Sequence, residues 1–389
     1  MRIYRRRDCF VCRVFITCLV VSFATRAQSP QTLADQFSTA ERVKKPGWWP
    51  TKGDAPREDY AGATACSRCH SDVAASQKTV PMARTSMAAA DSELLRAHDK
   101  VSFSQSPYIY QMTRTADSEV YSVLEDKQVL SEPLTWAFGT GNHGQSYLFE
   151  HQGSLYEGRV SYYSSSQSFG LTPNHPSVPA ESLEKAIGRK ISSAEAQKCF
   201  GCHTTASTVS GAFDPRKATP GVTCEVCHGP GAAHVAAEKN GFREEGAGLV
   251  LNPGRLAPAD SVDFCGACHR TWWDVNQDGL TGIGTLRFPA YRLEKSRCWG
   301  KGDARITCIA CHDPHQPLVK EAASYDQKCL SCHQVSASQS KADHPGAACP
   351  VSTKDCVSCH MPKYETPDMH TKFTDHMIRV VRKDASIPE

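Results

Sequence analysis

Fourteen of the nineteen cysteines fall in one repeated pattern, Cys-x-x-Cys-His, which occurs seven times. The copies are Cys66/Cys69/His70, Cys199/Cys202/His203, Cys224/Cys227/His228, Cys265/Cys268/His269, Cys308/Cys311/His312, Cys329/Cys332/His333 and Cys356/Cys359/His360. Two cysteines three residues apart on a helical turn can each form a thioether with one vinyl group of a haem. The adjacent histidine then reaches the iron as its proximal ligand. One Cys-x-x-Cys alone would suit a redox dithiol, and a pair would suit a zinc site. Seven copies, each followed by His, favour haem attachment. Disulfides inside the motif would be strained and would not call for the histidine. The spacing therefore predicts seven covalent c-type haems.

Seven irons need up to seven distal ligands. Nine histidines lie outside the motifs: His98, His143, His151, His175, His234, His315, His344, His370 and His376. His315 stands three residues after His312 and cannot reach the opposite face of the same haem, so it would ligate a neighbouring one. The same holds for His234, six residues after His228.

The stretches CHGPGAAHV (227–235), CHDPH (311–315), CHMPK (359–363) and HTKFTDHMIR (370–379) resemble the multihaem cytochrome superfamily that includes cytochrome c-554, hydroxylamine oxidoreductase and pentahaem nitrite reductase. The resemblance covers roughly residues 199–380. It implies that His234, His315 and His376 are distal ligands to neighbouring haems. His175 (in Thr-Pro-Asn-His-Pro), His344 and His370 are the next candidates, with a surface or core histidine as the alternative at each. His143 sits among Gly139, Gly141 and Gly144, which would allow close approach to a macrocycle. His98 and His151 read as ordinary structural histidines. The first haem has no spare histidine close in sequence. Met82 and Met87 follow its motif, and a Met ligand would raise its potential relative to the others.

Irons with both axial positions filled suit an electron carrier. The alternative is an oxidoreductase acting on a small nitrogen or sulfur compound at one open iron. The pentahaem nitrite reductases mark that iron with Lys in place of the motif histidine, whereas all seven motifs here end in His. A third reading is a subunit of an extended haem wire or outer-surface conduit. No catalytic residue is assigned. The expected partners are other redox proteins or a quinol-oxidising membrane complex, with assembly beside other cytochromes a further option. Asp274-Val-Asn276-Gln-Asp278-Gly279 resembles the start of a calcium loop, but Thr285 stands where such a loop needs a bidentate Glu. An ordinary turn is favoured over calcium there.

The elements that must position these groups are short. Residues 1–27 carry a basic stretch, a short apolar run (Val14–Ala24) and small residues, as in a secretory signal, so an exported or periplasmic protein is expected. Removing that segment, with six Arg and one Asp, turns the formal charge of +3 into −2, and haem propionates add more negative charge. An acidic protein of this kind argues against nucleic acid as a partner. Cys9, Cys12 and Cys18 leave with the segment. Cys298 and Cys349 remain, and a disulfide between them is expected, with two buried thiols as the alternative.

Residues 28–60 read as a linker or arm and 61–97 as a first haem segment. Residues 98–165 read as a small antiparallel β module, because 101–124 and 144–163 alternate as strands do. Residues 166–389 form a hexahaem C-terminal domain. From 199 to 360 there are six motifs in 162 residues, too few to give each macrocycle its own protein core. The expected fold is mainly α with extensive loops, its core packed by haems, with the β module inserted after the first haem.

Overall fold

The computed structural model describes residues 55–116, 118–296, 298–299, 306–333, 349–366, 369–382 and 386–388. The expected signal segment, most of the 28–60 arm and His344 lie outside the described residues.

Ten strands form one curled antiparallel sheet: β1 (Ser86–Ala88), β2 (Lys100–Gln105), β3 (Tyr108–Arg114), β4 (Glu119–Glu125), β5 (Gln128–Phe138), β6 (Gly144–His151), β7 (Ser154–Gly158), β8 (Val160–Tyr163), β9 (Ser168–Leu171) and β10 (Gly188–Lys190). The path runs β10-β7-β6-β5-β4-β3-β2. On its flanks β1 pairs with β5, and β8 pairs with both β6 and β9. Alternation explains the strands. Tyr108, Tyr110 and Met112 point inward and are buried, while Ile109 between them is exposed. On the neighbouring strand Tyr121 and Val123 do the same. These residues join Tyr147, Phe149, Val160 and Phe169 in one apolar core. The register slips once, between Leu134 and Trp136 on β5, and such a bulge bends the strand and adds twist.

A sheet of ten strands corrects the expectation of a mainly α protein. The sheet also reaches beyond residues 98–165, to Ser86 on one side and Lys190 on the other. Helices elsewhere are short; the longest among the described residues is Pro258–His269, of 12 residues. None of them is long and apolar enough to cross a membrane.

The back of the sheet carries the second motif. Helix Ser193–His203 is capped by Ser192, whose Oγ accepts from Glu195 N, and it buries Ala196 and Phe200. Phe200 packs edge-on against Trp136 and Phe138 of β5 at 5.1 Å from each. Leu148 and Ile191 complete this second core.

Candidate functional site

Each motif opens on a helical turn. His70 N donates to Cys66 O at 2.9 Å, His312 N to Cys308 O at 2.9 Å and His333 N to Cys329 O at 3.0 Å. This i to i+4 bond puts the first cysteine and the histidine on one side of the turn. The turn then stops. Gly229 closes the third motif at φ +80°, a conformation that suits a residue without Cβ, and Pro230 follows. The third, fifth and seventh motifs are therefore compact platforms of four or five residues, whereas the second and fourth end the helices Ser193–His203 and Pro258–His269.

The motifs lie side by side. Cys66 hydrogen-bonds Cys224, Cys265 bonds Cys308 and Cys329 bonds Cys356. Cys227 is within electrostatic reach of Cys265, and Cys311 within reach of Cys329. Cys202 Sγ stands 3.7 Å from Ala267 O, and His203 lies near His269. All seven motifs thus form one connected set. In space it runs 66, 224, 265, 308, 329, 356, with the 199 motif beside the 265 motif.

The contacts between motifs run mainly through their first cysteines, and the second cysteines are placed differently. Cys69 N donates to Cys66 O and Cys332 N to Cys329 O, at 3.2 Å each, so both end the same short turns. Cys69, Cys311 and Cys359 are nevertheless exposed, and Cys268 and Cys332 only half-buried. Cys268 lies within electrostatic reach of Cys265 in its own motif, and Cys332 Sγ stands 3.8 Å from Ser331 Oγ. The motifs whose second cysteine is exposed are built on helices of five, four and five residues. The cause is the length of the elements: a single turn at the edge of the protein can press only one side against its neighbours, and its other side stays open to solvent. Cys199 differs, because its helix lies on the sheet. It packs against the second core, and burial pushes its thiol pKa up to about 11.

Three histidines from outside the motifs face motif histidines. The ring centroids of His70 and His234 are 6.5 Å apart with 24° between the planes. His228 and His315 are 6.0 Å apart and inclined by 7°. His312 and His376 are 6.3 Å apart and inclined by 46°. Metal–imidazole bonds are about 2 Å long, so two rings sharing one metal through Nε2 have centroids about 6.3 Å apart. The other ring nitrogen is already engaged in most of these residues. Nδ1 of His228 lies 2.7 Å from Leu251 O, that of His234 2.8 Å from Gly246 O and that of His376 3.0 Å from Thr374 O. Among motif histidines, His203 and His360 are held in the same way, by Thr85 O at 3.1 Å and Arg379 O at 2.8 Å. A carbonyl on Nδ1 fixes the proton there and leaves Nε2 as the metal-binding atom. Burial lowers the pKa of His228, His269 and His312, and pushes His376 down to about 4. The neutral ring is the form that binds metal.

Around His376 the support is a buried ion pair. Arg292 Nε and Nη2 donate to the two carboxylate oxygens of Asp375 at 2.8 Å each, and both residues are fully buried. Ser296 Oγ donates to His376 O at 3.1 Å. At the first pair, a cavity of about 440 Å³ lies between the helix Ala63–Ser67 and the helix Ala232–Lys239 that carries His234. Ala61, Ala65, Ala232, Val235 and Ala236 line it with small apolar side chains, and Lys239 and Asn240 add a polar side.

Residues 162–229 match the family described as cytochrome c554 and c-prime. The multiheme cytochrome MtrA of Shewanella baltica (strain OS185) is 24% identical over 218 residues, 52% of this chain. The chain matches 62% of that relative's length. These matches support a multihaem cytochrome c family for the chain. A solved structure, that of the outer cell wall cytochrome OcwA, aligns over 82% of this cytochrome and 80% of its own chain, at 14% identity and a TM-score of 0.44. Covalently bound haem c follows from the family. The facing rings, the free Nε2 atoms and the small-residue cavity all fit such a group.

The remaining sequence candidates of the cytochrome lie elsewhere. Met87 packs against the core of the sheet and Met82 lies in the 3-10 turn Pro81–Arg84; the ring across from His70 is that of His234. His175 is buried with Nε2 3.4 Å from Glu157 Oε2. His370 meets the edge of Tyr163 at 4.7 Å, and His143 Nδ1 lies 3.0 Å from Thr371 Oγ1. His98 and His151 bond the protein itself: His98 Nδ1 to Leu94 O, and His151 to Glu132 and Glu184 at 2.6 Å each. Two further expectations differ from the structure. The Asp274–Gly279 stretch, read as an ordinary turn, is helical over 272–277: Asp274 accepts from Thr271 in a capping box, and Asp278 pairs with Arg270. Cys298 and Cys349 are not joined to each other. Cys298 stands near Cys311 and Cys329, whereas Cys349 hydrogen-bonds His360.

Proposed function

We propose that this cytochrome is an exported electron carrier with seven covalent haems, in which His70/His234, His228/His315 and His312/His376 hold three irons from both sides. The three facing ring pairs carry this reading. Bound haem supplies an iron that can be reduced by one electron and reoxidised. The chain's own residues do the rest. Fourteen cysteines anchor the groups, the outer ones at Cys69, Cys268, Cys332 and Cys359 included, and seven motif histidines supply one side of each iron. Cross-ligation from another segment supplies the second side, so the ligand set stays the same in both oxidation states and substrate is kept from those irons. The contacts between motif cysteines set the attachment points in one continuous succession, as transfer over a distance requires. His143, His175, His344 and His370 remain candidates for the other irons. The partners would be other redox proteins or a quinol-oxidising membrane complex.

The test is haem content and turnover of matured protein. Seven haem masses above the apo mass, with agreement from a pyridine haemochrome assay, are expected. So is reversible reduction without substrate-dependent reoxidation. Rapid oxidation of the reduced protein by nitrite or hydroxylamine would replace the carrier with an enzyme that has an open iron.

A further inference from the structure

The two sides of the first ring pair come from segments far apart in the chain. His70 follows the helix Ala63–Ser67, while His234 lies on the helix Ala232–Lys239, with the whole β sheet between them in sequence. One side chain touches the start of both. Glu225, between the two cysteines of the third motif, is buried with 3% of its surface exposed. Its Oε1 accepts from Ala61 N at 2.7 Å and from Gly231 N at 2.8 Å, and its Oε2 accepts from Gly62 N at 2.9 Å. Gly62 is the N-cap of the helix leading to His70, and Gly231 is the N-cap of the helix carrying His234.

A buried carboxylate is costly unless hydrogen bonds hold it, and here three backbone N–H groups do so. The same device recurs at the far end of the motif set. Asp326, three residues before Cys329, accepts from Asp355 N at 2.7 Å and Cys356 N at 2.9 Å, at the start of the helix that carries the seventh motif. At Gly231 an added Cβ would come within 3.4 Å of Glu225 Oε1, so the glycine leaves room for this contact.

We propose that Glu225 is a positioning residue for the first haem: it sets the separation of His70 and His234 and places a fixed negative charge beside that site. The inference rests on the reading of His70 and His234 as one ligand pair. The charge lies within electrostatic reach of both Cys66 and Cys224, so it opposes electron uptake at the adjoining haems.

Matured full-length protein carrying Glu225→Ala, Glu225→Gln or His234→Ala tests this, by electron paramagnetic resonance during a redox titration. His234→Ala identifies the first-haem component as the low-spin signal it removes. Glu225→Ala should convert that same component partly to high spin and allow cyanide to bind there. Glu225→Gln retains an acceptor for two of the three N–H groups. It should keep the component low-spin while shifting its midpoint potential upward. A Glu225→Ala spectrum like the wild type, with no cyanide binding, would overturn the positioning role. An unchanged His234→Ala spectrum would instead refute the ligand pair, and the inference with it. If Glu225→Ala does not mature, Glu225→Gln decides: an upward shift supports the proposal and an unmoved potential overturns it.

Discussion

The sheet and the motif-bearing segments solve the same problem in different ways. The sheet buries fifteen residues in one core that includes Tyr108, Tyr110, Tyr121, Tyr147 and Phe149. It needs nothing from outside the chain. The segments after Ser207 bury their apolar residues in small groups instead: Phe264 alone, then Val262 with Ala290 and Leu293, then Val275 with Phe288 and Tyr291. The motif cysteines there are only partly covered or exposed. Isolated groups of one to three side chains supply little burial free energy against the entropy of ordering the chain. Our reading is that the attached haems complete this half of the core, and that the sheet gives it a rigid wall.

The sharpest way to break the comparison is to withhold the cofactor. Full-length chain made without haem attachment should keep slow amide exchange in β3 to β7 and lose it throughout 224–333. The measure is hydrogen exchange read by mass spectrometry. Equal protection in both regions would mean that the motif segments fold unaided.

A second change acts on the other side. Phe149→Ala removes a fully buried ring from the sheet's core and should cost about 3–5 kcal/mol in chemical denaturation. It should leave the haem count and spin states as they were. A shift in the haem spectrum of that variant would show that the two cores are not separable.

The smallest effect is a pH dependence. Burial works against charge on His151, but its hydrogen bonds to Glu132 and Glu184 more than offset this and raise its pKa above the ordinary value. A raised pKa gives stability that is full below the unfolded value of about 6.5 and is lost as pH rises through the folded value. Denaturation of the sheet should therefore become easier as pH rises above about 6.5. His151→Gln should flatten that slope, and a slope unchanged in the variant would assign the effect to other groups.

Much of this was legible in the sequence, where the physics is local. Strict alternation marks Tyr108, Tyr110 and Met112 as inward, and Cys-x-x-Cys-His announces itself seven times. The resemblance at CHGPGAAHV, CHDPH and FTDH named His234, His315 and His376. What the sequence hid is non-local. Strands β1 and β10 have three residues each, too few for a period, and are defined by pairing with β5 and β7. The motif itself does not say which of its cysteines faces a neighbour, so the exposure of Cys69 and Cys359 could not be read from it. The pairing of His234 with His70 spans more than 160 residues with no local signal, which is why the nearer Met82 and Met87 looked plausible. Asp274 and Asp278 resembled a metal loop by spacing, yet Thr271 and Arg270 compete for the same carboxylates.

The central claim is that paired histidines hold irons in the motif half. Its most direct test is spin quantitation, by low-temperature electron paramagnetic resonance, of oxidised matured protein in the wild type and in His234→Ala, His315→Ala and His376→Ala. Attachment uses the cysteines, so each variant should retain the full haem count. Each should convert one low-spin haem to high spin, a different one in each case. Three variants with the wild-type low-spin spectrum would contradict the account.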